Sequence, residues 1–339
     1  MTVLGIANVK AERDPETDAA MLPGGLFRYV VSTSWMHQLP LLTLTVAVFL
    51  LEVVPLELQR RVVNDAVKHR QYSAVVLLCA AYAAAVMLQG SMKLGLNIYR
   101  AWVGERAKRE LRRRVCVAAD TGSRSADAQG TAVSLMVAEV EPVGNFIGGA
   151  VSEPLLQGGI LTTVVIYIIH VDTWMGVAAL ALFIPQMIFV PLMQRAMNRR
   201  TGIRVWLLRQ IGTGLIGSDH LTGATLADEA PRIDRVFRID MHIFELKFTM
   251  NFLMNLCTHA QIIMALLLGG WRVLQGDLEI GGVVAFISGI GRLTDPWGDL
   301  VNYGRDLSVN SVKFRLLAAA VNDPGHAASA IPIVRSAAD

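Results

Sequence analysis

Four stretches of this 339-residue chain place polar side chains one helical turn apart within otherwise apolar runs. Gln89, Lys93 and Asn97 are spaced by four, and so are Glu153 and Gln157, which fall in line with Asn145 and Glu141. Asn251, Asn255 and His259 repeat the pattern. The longest series, Ser288, Arg292, Asp295, Asp299, Asn302 and Asp306, alternates steps of four and three. Such spacing keeps the polar groups on one face of a helix. One explanation is a shared, water-accessible interior that binds and passes a solute. The other is interhelical hydrogen bonding, which can be cheap in a membrane. His259, Arg292 and Asp295 stand nearest the middle of their runs and are the first candidates to face a substrate. Glu153, Gln157, Gln89 and Asn255 are the further cavity candidates. Arg292 could equally be neutralised by Asp295 or Asp299 on its own helix. His259 could relay protons, since imidazole titrates near neutrality, or act as a structural hydrogen-bonder. Lys93 is expected to snorkel to an interface. Glu52 is expected to reach headgroups or to pair with Arg60.

The background to these residues is strongly apolar. Hydrophobic residues make up 53% and charged residues 17%, against about 25% charged in a usual soluble domain. A chain of this length and composition is a polytopic membrane protein. Its net charge of +3 gives no reason to expect a nucleic-acid partner. Cys79, Cys116 and Cys257 are too scattered for a disulfide framework or a zinc site. The first thirty residues contain no apolar run followed by a small-residue cleavage site, so no secretory signal peptide is expected there.

A span needs about 20 mostly apolar residues, and six runs qualify: 36–57, 73–98, 149–169, 173–194, 248–270 and 280–303. Short turns join the third to the fourth and the fifth to the sixth. Long junctions separate the second from the third and the fourth from the fifth. Those junctions read as helices that leave the membrane, reverse at Gly/Ser-rich tips (122–130 and 212–223) and return. The termini and long junctions carry 24 of the Lys and Arg residues and the opposite side carries five. That asymmetry predicts both termini and both extensions in the cytosol. The two halves repeat the same arrangement, as transporters often do.

On these residues the chain resembles the transmembrane domain of type I exporter-fold ABC transporters. Gly104-Glu-Arg-Ala-Lys-Arg-Glu-Leu-Arg112 is similar to the family's stretch at the end of the second helix, and Gly130 to Glu141 to its "G-x-x-x-S-x-x-x-x-D-V-E", with Glu139 in place of the aspartate. Asp219-His-Leu-Thr-Gly223 resembles the second cytosolic tip. Gly270 to Gly281, followed by Asp295-Pro296, is similar to the signature around the sixth helix. The resemblance implies an all-α membrane protein of six transmembrane helices with long cytosolic extensions. Its parts would be a cytosolic segment (1–35), the six-helix domain (36–321) and a cytosolic tail (322–339). It also implies a dimer with exchanged helices, alternating access, and coupling helices at the tips that dock on an ATPase. Asp127, Gln129, Gly130, Asp219, His220 and Gly223 are the matching tip residues.

A larger departure from the family is the missing ATPase motif. Its six lysines follow Val9, Val67, Met92, Ala107, Leu246 and Val312, so no Gly-Lys pair and no phosphate-cradling G-x-x-x-x-G-K-[ST] motif exists. The chain is therefore expected to be no enzyme by itself and to hold no cofactor, ATP and magnesium entering only through a separate ATPase subunit. The expected setting is the plasma (bacterial inner) membrane, with the lipid bilayer, a second copy or another half-transporter, and the ATPase as partners. The alternative is a proton-coupled carrier on the same scaffold. Pro185, Pro191 and Pro296 are candidate kink sites.

Overall fold

The structure, a computed structural model, describes residues 22–68, 72–121, 139–216 and 223–322, and among them every regular element is a helix. In chain order these are α1 (Leu26–Leu51), α2 (Val53–Lys68), α3 (Tyr72–Thr121), α4 (Glu141–Gly149), α5 (Ser152–Val171), α6 (Thr173–Ile216), α7 (Gly223–Gln275), α8 (Ile280–Gly291) and α9 (Thr294–Asn322). Five helical stretches are long and apolar enough to cross a bilayer: Leu26–Ala66, Tyr72–Ala118, Ser152–Val171, Thr173–Leu208 and Ala230–Gln275. They make this a helical membrane protein. The expected sixth span, 280–303, is not one helix. It is split into α8 and α9 at Arg292-Leu293, and α8, with 12 residues, is only about 18 Å long.

Three of the helix breaks have one covalent cause. A proline lacks the N–H that would bond the carbonyl four residues back. Pro55, Pro154 and Pro296 therefore release the carbonyls of Leu51, Ala150 and Arg292, and the chain breaks at those places. At each break the last turn tightens to a three-residue bond: Glu52 N–H to Phe49 O, Ala150 N–H to Ile147 O and Arg292 N–H to Gly289 O. The freed Ala150 carbonyl accepts the Tyr303 hydroxyl at 2.6 Å. Pro185 and Pro191, by contrast, lie inside the continuous α6.

Helices α1/α2, α3, α5, α8 and α9 pack together, while α6 and α7 pack chiefly on each other. One apolar core, including Leu41, Leu96, Val164, Phe286 and Ile290, fills the bundle. A second, including Tyr29, Leu111, Ile147, Phe314 and Leu317, joins α1, α3, α4 and α9 near the chain termini. Helical structure thus begins at Leu26, before the expected start of the first span at residue 36, and Tyr29 and Val30 are fully buried. A bend at Ser34 (φ −131°, ψ 17°) separates that first segment of α1 from the rest.

Where α5 meets α6, the buried Asp172 caps α6 by accepting the Met175 N–H at 2.9 Å, the usual role of aspartate at a helix start. It also binds Arg272 at 2.9 Å, which ties that turn to the end of α7. Gly276 closes α7 with φ +82°. Its N–H reaches Val273 O and the Asp277 N–H reaches Arg272 O, both at 3.0 Å. This double reversal favours glycine.

Candidate functional site: a polar cluster between three helix breaks

The breaks bring polar residues together inside the bundle. Arg100 of α3 donates from Nε to Ser152 Oγ at 2.7 Å and from Nη1 to Glu153 Oε2 at 2.5 Å. Gln157, one turn further along α5, donates from Nε2 to Glu153 Oε1 at 2.8 Å and to Asp299 Oδ2 of α9 at 3.0 Å. One guanidinium and one amide thus link two carboxylates across three helices. The Arg100 and Gln157 side chains are largely covered, which strengthens these charge-assisted bonds. Lys93 of α3 lies within electrostatic reach of Asp299.

Beside this chain of bonds is a cleft of about 310 Å³ between α4, α5 and α9. Glu153, Asp299, Asn302 and Asp306 supply polar groups, and Phe146 and Tyr303 stack with ring centroids 5.6 Å apart. Asn302 also accepts from Gln194 of α6 at 3.0 Å. Carboxylates beside an aromatic pair suit a solute with both apolar and cationic or hydrogen-bonding parts.

A second polar contact joins two of the breaks directly. Arg292, at the α8–α9 break, donates to the Glu52 carboxylate at 2.5 Å and to the Glu52 carbonyl at 3.1 Å. Glu52 is the break between α1 and α2, and its other carboxylate oxygen accepts from Gln89 of α3. Arg292 is therefore not neutralised by Asp295 or Asp299, and Glu52 pairs with Arg292 rather than Arg60. The latter binds Glu57.

Of the sequence candidates, Glu153 and Gln157 enter the cluster, Asp299 of the α9 stripe joins them, and Gln89 and Arg292 form the neighbouring contact. Asp295 is exposed on α9. His259 and Asn255 lie exposed on α7, away from the cluster, and their side chains make no hydrogen bond among the described residues. Asp127, Gln129, Gly130, Asp219 and His220 lie outside the described residues, and Gly223 opens α7. No grouping of three or more His, Cys, Asp or Glu suited to a metal occurs among the described residues.

Sequence reasoning did not single out Arg100. Its partner lies 53 positions away on another helix. The first apolar run, expected to end at residue 57, continues as helix α2 to Lys68. Compared with known proteins, the chain matches no protein-family model and no curated protein.

Proposed function

We propose that this chain is the membrane-embedded permease subunit of an exporter-type ABC transporter. It would move an amphipathic solute by alternating access and be energised by a separate ATPase subunit. The observation that carries this is the hydrogen-bonded cluster of Arg100, Glu153, Gln157 and Asp299 beside an open cleft, held next to helix breaks in an apolar bundle. Charged groups at such depth cost free energy unless paired or wetted, so their presence marks a pathway. The breaks at Glu52, Ala150 and Arg292 are places where helices can pivot without losing further backbone hydrogen bonds.

Two further features support it. Helices α3, α6 and α7, with 50, 44 and 53 residues, are about 75, 66 and 80 Å long, far beyond a hydrocarbon core of about 30 Å. They would carry the tips expected around 122–130 and 212–223 to a soluble partner on the cytosolic side. Along α7, Ile233, Phe237, Met241, Phe244, Phe248 and Phe252 form an exposed apolar stripe. It extends beyond the length that lipid would cover and fits a second copy of this chain, in a dimer with exchanged α6 and α7.

Alternating access is tested with Asn302→Cys in a variant otherwise free of cysteine, labelled in membranes by a charged maleimide added to one face. The expected result is a severalfold change in labelling rate when magnesium-ATP is supplied with the host's own membrane components. A rate indifferent to ATP counts against the proposal. The second reading, a proton-coupled carrier, draws on Glu153 and Asp299, two carboxylates served by one arginine and one amide. Its signature is a labelling rate that follows a pH step and ignores ATP.

A further inference from the structure

A second polar pocket lies between the bent start of α1 and α3, with Ile147 of α4 at its edge. It has a volume of about 130 Å³, and its wall includes Thr33, Ser34, His37, Val103, Arg106 and Arg109. The α3 sequence changes character here: the apolar run ends at Ile98, and Tyr99, Trp102, Arg106 and Arg109 follow. Aromatic side chains succeeded by arginines mark the headgroup level of a membrane helix.

The hydrogen bonds fix the charge on this wall. The Arg106 guanidinium can only donate, and its Nη1 lies 3.1 Å from His37 Nε2. Nε2 is therefore an acceptor and the ring proton sits on Nδ1, which donates to the Tyr99 hydroxyl at 3.0 Å. The ring in this arrangement is neutral. Arg106 also lies 5.7 Å over the Trp102 ring, and it has no carboxylate partner among the described residues. Arg109 likewise has none. The acid on the wall, Glu110, is engaged by Arg114 at 2.7 Å. Two guanidinium charges thus face one small pocket, and the carboxylate on its wall is already bound by Arg114.

The flanks of the pocket are greasy. Phe27, Val31, Trp35 and Leu39 form an exposed ridge along α1 across the Ser34 bend, and Ile98 and Trp102 are exposed on α3. A freely soluble anion gains nothing from such surroundings. The geometry points to a binding site for the phosphate of an anionic phospholipid: the headgroup sits between Arg106 and Arg109, and the acyl chains run along Trp35 and Leu39. Arginine is suited to this because its planar fork meets two phosphate oxygens at once. The bound lipid would brace the bend of α1 against α3. This assignment requires only that the chain is in a membrane and is independent of the transport proposal.

The test is native mass spectrometry of the full-length, delipidated protein incubated with equal amounts of phosphatidylglycerol and phosphatidylcholine. The wild type is expected to retain phosphatidylglycerol preferentially. R109A removes a side chain without a protein partner among the described residues, so it leaves the fold intact, and it lowers that retention about fivefold, the usual contribution of one basic residue near an anionic surface. R106A/R109A lowers it about 30-fold. Phosphatidylcholine retention stays unchanged in both. R112A, which removes an arginine of the same run that is bound to Glu141 outside the pocket, leaves phosphatidylglycerol retention as in the wild type. An equal loss in R112A would show diffuse charge rather than a site and overturn the proposal. So would unchanged retention in R109A, or displacement of the lipid by millimolar inorganic phosphate.

Discussion

Arg292→Leu is expected to lower the stability of the folded chain by about 3 kcal/mol, read as a drop of many degrees in its unfolding midpoint in detergent. Arg292 reaches from one helix break to another, binding the carboxylate of Glu52 at 2.5 Å and its carbonyl at 3.1 Å. The two side chains are 26% and 17% exposed, so neither is well hydrated. Removing the arginine leaves an ionised carboxylate in a poorly hydrated place with only the Gln89 amide to hold it. Breaking a buried ion pair on one side costs about 3–5 kcal/mol, and the residual exposure puts this case at the lower end. The double variant Glu52→Leu/Arg292→Leu is expected to recover most of the loss, since two apolar groups need no partner. A midpoint for Arg292→Leu equal to that of the wild type would mean that the contact joins the two breaks in appearance only.

Gly148→Ala should be among the most damaging single-methyl additions in the bundle. Gly144 and Gly148, four residues apart on α4, face α3 where the backbones touch. A Cβ on Gly148 would run into the Arg100 carbonyl and stand 3.1 Å from the Gly104 nitrogen, and one on Gly104 would stand 3.0 Å from the Gly144 carbonyl. These obstacles are backbone atoms and cannot rotate away, so α4 must move off α3. Overpacking of this kind costs about 1–3 kcal/mol, and the rigid surroundings argue for the upper end. The displacement would also drag Arg100 from Ser152 and Glu153, so the cleft changes shape with the packing. Gly149→Ala is the matched control: its Cβ would stand 3.8 Å from the Glu153 Cβ, an ordinary contact, and alanine is the better helix former. Unfolding midpoints should fall for Gly148→Ala and hold for Gly149→Ala. Equal midpoints would remove the close α3–α4 approach as a determinant of the fold.

Much of the architecture is legible in the amino-acid sequence because lipid imposes a simple rule. Long apolar runs must be helices, and polar residues at steps of three and four must share a face. Glu153, Gln157 and Asp299 follow from that rule directly. Their partner Arg100 does not, because it lies 53 positions from Glu153 and contact between two helices depends on their packing, which the period of either one leaves undetermined. The breaks were half legible. Pro296 is a visible kink site in the sequence, and Pro55 and Pro154 act in the same way by orphaning the carbonyls of Leu51 and Ala150. The same rule does not predict that α6 runs on through Pro185 and Pro191, where neighbouring turns hold the helix together. His259 and Asn255 have the right spacing on α7 but the wrong surroundings, since α7 packs mainly on α6 and leaves that face open. Periodicity identifies a face and leaves its neighbour undetermined. Arg292 shows this most clearly: two acids lie within seven positions of it in the sequence, and a third, 240 positions away, holds it.

The permease proposal is tested most directly by native mass spectrometry of the protein extracted gently from the membrane of its own host, with ATP hydrolysis measured on the same complex. The expected result is an assembly of two copies of this chain with two copies of an ATP-hydrolysing subunit. Its turnover should respond to Asn302→Cys labelling in the cleft. A dimer or monomer that carries no ATPase, in membranes where ATP leaves the labelling of Asn302→Cys unchanged, would contradict it.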